Sequence, residues 1–178
     1  MRYLLAHHIR GDAAGYYVRL TKDLEKRFGI PSLSRRSPAH ITLKPPFETD
    51  DLEPVIGKLT QVSAFVPQLP LKIRGFETFR QKTIYLDVPM TPELQQWGTE
   101  LASECAGLVD GRAIPLPIKM HISVARKLAP GLYQRVMRYL GTLPIPEFDS
   151  VFDSVTLFQY VNNKWVVHRV FELSGPQP

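Results

Sequence analysis

The chain has one cysteine in 178 residues. Cys105 therefore has no intramolecular disulfide partner, and a cysteine metal cluster is excluded by count. Its place among helical apolar positions makes it a small core residue and not a nucleophile. Long apolar runs are also missing: no stretch approaches the ~20 residues of a membrane span. The run Tyr3 to Ala6 is too short for the apolar region of a signal peptide. The expectation is a cytoplasmic protein with no membrane partner. Acidic residues are in deficit, 17 against 22 Lys and Arg, for a net charge of +5. That balance leans toward anionic partners. Apolar content of 44% and charged content of 22% are those of a globular protein. The length fits one domain over residues 1–178.

What is present is one short pattern, twice: His40-Ile41-Thr42-Leu43 and His121-Ile122-Ser123-Val124. Each reads imidazole, aliphatic, hydroxyl, aliphatic. The period of two predicts a β-strand with the histidine and hydroxyl on one face and the aliphatics on the other. Two such strands offer two proton-transfer groups and two hydrogen-bonding groups, an inventory suited to in-line chemistry at a phosphate.

The motifs lie 81 residues apart, and the same offset relates Leu5 to Leu86, Leu20 to Leu101, Leu24 to Cys105, Val55 to Val136, Leu59 to Leu140 and Phe79 to Tyr160. Their apolar phases agree without a gap. We expect an internal duplication of one β-α-β-α-β unit, with halves of roughly 1–80 and 82–173 and a tail over 174–178. The expected class is α+β, two pseudo-symmetric lobes with a central groove between the histidines.

Local signals fill in the frame. Arg2 to Ile9 is strand-like, and Ala14 to Phe28 is helical until Gly29 stops it. The first motif strand is expected to end at Pro45-Pro46, which cannot continue a ladder. Asp50 or Asp51 is expected to cap a helix to about Ala64. Leu69 to Phe79 and Thr83 to Val88 read as strands. Thr91-Pro92 opens a helix to about Ala106, and Ile118 to Ala125 carries the second motif. Pro130 to Leu140 is helical. Ser150 to Tyr160 and Lys164 to Leu173 form strands joined by an Asn162-Asn163 turn.

Basic residues gather beside both motifs. Arg126 and Lys44 are candidate phosphate contacts, and the Arg35-Arg36 loop is a candidate for substrate selection; each could equally be a solvated charge. Phe79 and Tyr160 are candidates for base stacking or for core packing. Either His7 or His8 could line the groove, while His168 reads as structural or solvated.

Pro38-Ala39-His40-Ile41-Thr42-Leu43-Lys44 and Met120-His121-Ile122-Ser123-Val124-Ala125-Arg126 resemble the paired motifs of the two-histidine phosphoesterase superfamily. The likeness is to its bacterial 2′-5′ RNA ligase-like proteins, or RNA 2′,3′-cyclic phosphodiesterases. It spans roughly residues 1–173 and includes the arginine five residues after the second histidine. Serine in the second motif, where threonine is frequent, and the kinked Lys44-Pro45-Pro46 exit are departures. The resemblance implies a cofactor-free, metal-independent hydrolase of 2′,3′-cyclic phosphates on RNA ends or small nucleotides, acting as a monomer. It implies that His40 and His121 share the acid and base roles, in an order the sequence leaves open. Thr42 and Ser123 would bind the phosphate oxygens. The reverse reaction would be 2′-5′ RNA ligation. Two other readings stay open: a nucleotide or RNA-end binding module without turnover, and a metal-dependent hydrolase using His7, His8, His40 and His121.

Overall fold

Strand β1 (Arg2–His8) alternates between two apolar environments. Tyr3 and Leu5 enter the main core, while Leu4 and Ala6 join a separate small cluster with Phe158. The computed structural model describes residues 1–109 and 111–176, so residues 177 and 178 of the expected tail lie outside them. After β1 come α1 (Gly11–Phe28), β2 (His40–Glu48), α2 (Glu53–Ser63), β3 (Leu69–Arg74), β4 (Phe76–Phe79) and β5 (Thr83–Asp87). Then follow α3 (Pro92–Ala106), β6 (His121–Ala125), α4 (Pro130–Leu140), β7 (Glu147–Phe152), β8 (Ser154–Val161) and β9 (Lys164–Glu172). Among the described residues this is an α+β fold of four helices and three antiparallel sheets.

The sheets run β2-β1-β8-β9, β4-β5-β6 and β3-β7. Each motif strand, β2 or β6, is an edge strand paired to one neighbour, β1 or β5. The third strand comes from the other half of the sequence. β4 pairs with β5, and β8 returns to β1. Neither half therefore builds its own sheet. Residues 81 apart still share one core: Leu5 and Leu86, Leu24 and Cys105, and Leu59 and Leu140 are all buried in it.

Several local signals act as read. Gly29 ends α1 in the left-handed region, φ 68°, which glycine adopts without steric cost. Thr91 Oγ1 accepts the Leu94 N–H at 3.2 Å, a cap worth about 1 kcal/mol. Asn162 and Asn163 both take positive φ and close the β8–β9 hairpin. Cys105 is fully buried, and burial pushes its thiol up to about 12.

Other expectations need correction. β2 does not stop at Pro45-Pro46 but pairs on through Phe47 with Tyr3 and Glu48 with Arg2. An edge strand tolerates proline because its outward N–H needs no partner, and two register shifts take up the kink. Asp51 is not the cap residue of α2, but its Oδ1 accepts the Glu53 N–H from just outside. The segment 69–79 breaks at Gly75, φ 74°, into β3 and β4 of different sheets. The segment 150–160 likewise breaks at Asp153 between β7 and β8.

Candidate active site

The two motif strands meet where β2 contacts β6. On β2, Ile41 and Leu43 are buried in the core and His40 and Thr42 stay partly exposed. On β6, Ile122 and Val124 are buried while His121 and Ser123 stay partly exposed. The alternation read from the sequence thus places an imidazole and a hydroxyl on the open face of each strand.

Both rings are held in the same way. His40 Nδ1–H donates to the Pro38 carbonyl at 2.8 Å, with Ser37 Oγ at 3.0 Å. His121 Nδ1–H donates to the Lys119 carbonyl at 2.8 Å. A carbonyl only accepts, so the proton sits on Nδ1 in both rings. Nε2 is left as the nitrogen that can exchange a proton with a substrate.

The surroundings lower the proton affinity of both rings. Burial pushes His40 down to about 4, the Pro38 carbonyl opposes the fall, and the Arg126 and His121 charges add to it. Burial also lowers His121, opposed by the Lys119 carbonyl and reinforced by Arg126 and the Lys119 ammonium, with Asp87 pulling it up. Arg126 is exposed, and its charge lowers both imidazoles.

Strand register shows what faces each histidine. His8 lies opposite His40 and Asp87 opposite His121. Ala6 lies opposite Thr42 and Tyr85 opposite Ser123. One strand further, the Phe158 ring is 6.1 Å from His40 and 5.6 Å from His8. The Phe79 ring is 4.9 Å from His121 and 4.4 Å from Tyr85. Phe158 pairs with Leu4 and Phe79 with Thr83, so the two phenylalanines hold equivalent places. They are 79 residues apart, not 81. A shift of two residues keeps every side chain on its face. The 81-residue offset therefore found Phe79 but pointed to Tyr160 where Phe158 stands. Tyr160 packs on Trp165, 5.0 Å away, at the far end of the same face.

Lys44 is not brought to the pair. A register shift between Leu5 and Ala6 turns it to the core side of β2. There it is 1% exposed and its ammonium donates to the Ala106 carbonyl at the end of α3, 3.1 Å away. His7 is buried, its Nδ1–H donating to the Ser154 carbonyl at 3.0 Å with its ring on Phe152. His8 is the one of that pair on the site face. His168 packs its ring near Tyr3, on the opposite face. Asp87 Oδ1 is 2.6 Å from Lys119 Nζ, a close ion contact not aligned as a hydrogen bond. Among the described residues no three His, Cys, Asp or Glu side chains form a metal-binding group. Sequence reading missed Phe158, Tyr85 and Asp87. Cross-strand register finds them, and no single-strand pattern carries it.

A cleft of about 480 Å³ between α2 and α3 is lined by Lys58, Phe65, Trp97 and Glu104, and includes neither motif histidine. Among the described residues no helix is long and apolar enough to cross a membrane.

The sequence and the fold both find relatives. Residues 17–164 match the model of the 2′-5′ RNA ligase superfamily. A protein of Geobacillus kaustophilus provisionally named a phosphoesterase is 29% identical over 144 residues, 79% of this chain and 81% of that protein. A protein of Geobacillus thermodenitrificans with the same provisional name is 30% identical over 145 residues, covering 79% and 81%. The fold is similar to Escherichia coli LigT solved with NADP+, at TM-score 0.63, 17% identity and 97% of each chain. It is also similar to TT0787 of Thermus thermophilus, at TM-score 0.60, 15% identity, 99% of this chain and all of that one. LigT has been solved with ATP and with 3′-AMP as well.

Proposed function

The chain belongs to the 2′-5′ RNA ligase superfamily of two-histidine phosphoesterases, and from that premise we propose that it hydrolyses 2′,3′-cyclic phosphates on RNA ends or small nucleotides. The observation that supports this reading is the matched pair of Nδ1–H bonds, which leaves one exchangeable nitrogen on each of the two motif strands. We read the chain as one domain of two duplicated halves that exchange strands, with the groove between the motif strands. One chain supplies every group the reaction needs, so a monomer suffices.

His40 Nε2 takes a proton from water as the water oxygen attacks phosphorus. The bond from phosphorus to the ribose 2′ or 3′ oxygen breaks, and His121 Nε2–H protonates that oxygen. The product is a phosphomonoester. The roles are assigned this way because burial holds His40 down to about 4, so that it stands neutral and able to accept a proton. Asp87 opposite His121 pulls that ring toward the protonated form against the Lys119 and Arg126 charges, whereas the charges acting on His40, His8 among them, all oppose protonation. Thr42 and Ser123 donate to the non-bridging oxygens, and the Arg126 charge stabilises the phosphorane-like transition state. Proton transfer and hydrogen bonding supply the chemistry, so turnover is expected in chelator. With a 5′-hydroxyl attacking phosphorus in place of water and the 3′ oxygen leaving with the proton from His121, the same groups form a 2′-5′ linkage.

The test is turnover of 2′,3′-cyclic nucleotides in chelator by the wild type, His40→Ala and His121→Ala. Loss in both variants is the expected result. Tight nucleotide binding with no wild-type turnover from pH 5 to 8 would replace the enzyme with a binding module.

A further inference from the structure

The face that carries His40 continues across β1, β8 and β9. Leu4, Ala6 and Phe158 form an apolar floor on it, and Trp165 of β9 packs against that floor. The Trp165 ring lies 5.0 Å from Tyr160. The Arg2 guanidinium lies over both rings, 5.5 Å from Tyr160 and 5.9 Å from Trp165. The Trp165 backbone N–H donates at 2.7 Å to the Arg36 carbonyl. Arg36 stands four residues before His40, so the chain itself keeps the two within about 14 Å. Arg2, Arg36 and Lys164 are exposed, and so is Val167, two residues beyond Trp165 on its face.

A partly exposed indole and phenol, overlain by the Arg2 guanidinium and next to the exposed Arg36, has the make-up of a single-strand binding surface. Aromatic faces stack any base, and cations follow the phosphates. The platform and the site share a floor: the buried Phe158 ring lies 6.1 Å from the His40 ring and belongs to the cluster on which Trp165 packs. A mononucleotide on the His40–His121 pair has no need of it. We propose that Trp165, Tyr160 and Arg2 hold the nucleotide upstream of the cyclic end, so that the preferred substrate is an RNA strand and not a cyclic mononucleotide. This rests on the phosphodiesterase reading above and adds the class of substrate to it.

The experiment compares kcat/KM for a cyclic mononucleotide and for a trinucleotide ending in a 2′,3′-cyclic phosphate. The wild type is expected to favour the trinucleotide about tenfold, the scale of one stacked base. Trp165→Ala and, separately, the surface change Arg2→Ala bring that ratio toward one, and Trp165→Phe keeps most of it. Fluorescence anisotropy with a trinucleotide 3′-phosphate gives a readout that needs no turnover. Its Kd is expected to rise about tenfold in Trp165→Ala. Equal wild-type kcat/KM for the two substrates would overturn the proposal. Binding unchanged by both alanine variants would overturn it too. Failure of the phosphodiesterase reading looks different: no wild-type turnover of either substrate, with the anisotropy still deciding the platform.

Discussion

His40 and His121 make the same hydrogen bond, each Nδ1–H donating at 2.8 Å to the carbonyl two residues earlier in the chain. The bond is local to each motif, so any strand that brings the histidine also brings the carbonyl that fixes its tautomer. What differs between the rings lies across the strand: a histidine opposite one and a carboxylate opposite the other. In the proposed mechanism that difference separates the base, His40, from the acid, His121.

The assignment is testable with the leaving group. An aryl phosphodiester that expels p-nitrophenolate needs no general acid. His121→Ala is expected to keep a much larger share of wild-type activity on it than on a cyclic nucleotide. His40→Ala is expected to lose both, because the base is still required. The opposite pattern would exchange the two roles.

The pH dependence follows from the same environment. A depressed pKa means the proton leaves at lower pH. His40 is neutral above about 4 and ready to accept a proton. His121 must hold one, and it releases it below its ordinary 6.5. In the free enzyme, kcat/KM should therefore peak on the acid side of 6.5 and fall through neutrality. A bound phosphate favours the protonated ring, so kcat should fall at higher pH than kcat/KM. Arg126→Gln removes a charge that lowers both rings and should move both limbs upward. A kcat/KM that climbs from pH 6 to 8 would contradict this division of labour.

The hydroxyls should act on the chemical step more than on affinity. Thr42→Val keeps the shape and strand preference and removes one donor. A drop in kcat of about 10²-fold is expected, the scale of one preorganised donor in a known oxyanion site. Ser123→Ala should behave alike, and Ser123→Thr should retain most activity. Unchanged turnover in Thr42→Val would take Thr42 out of the site.

The alternation of Ile41 and Leu43 against His40 and Thr42 was readable because burial on one strand face repeats every two residues. Thr91, Gly29 and Asn162-Asn163 were readable because caps and turns depend on neighbours in the chain. The strand exchange that pairs β4 with β5 and β8 with β1 was not, since pairing partners leave no mark within a single strand. Phe158 was missed for that reason: the offset that relates the histidines differs by two residues from the one that relates the strands behind them. Proline misled at Pro45-Pro46 because edge and central strands look alike until the sheet order is known.

Lys44 shows how one register shift redirects a charge. By simple alternation it shares the face of His40 and Thr42, but the shift between Leu5 and Ala6 sends it inward. Its stem is buried and its ammonium meets the Ala106 carbonyl, where α3 ends and its dipole is negative. Its task is to join β2 to α3, near Cys105. Lys44→Ala removes the buried stem as well as the charge and should destabilise the fold by about 2 kcal/mol in urea unfolding. Lys44→Met restores the stem and should recover part of the loss. Turnover per folded molecule should stay within about twofold in either variant, as for a change remote from the reacting groups. Full stability combined with a tenfold rise in KM for Lys44→Ala, against the roughly 2 kcal/mol loss expected, would return the ammonium to the phosphate.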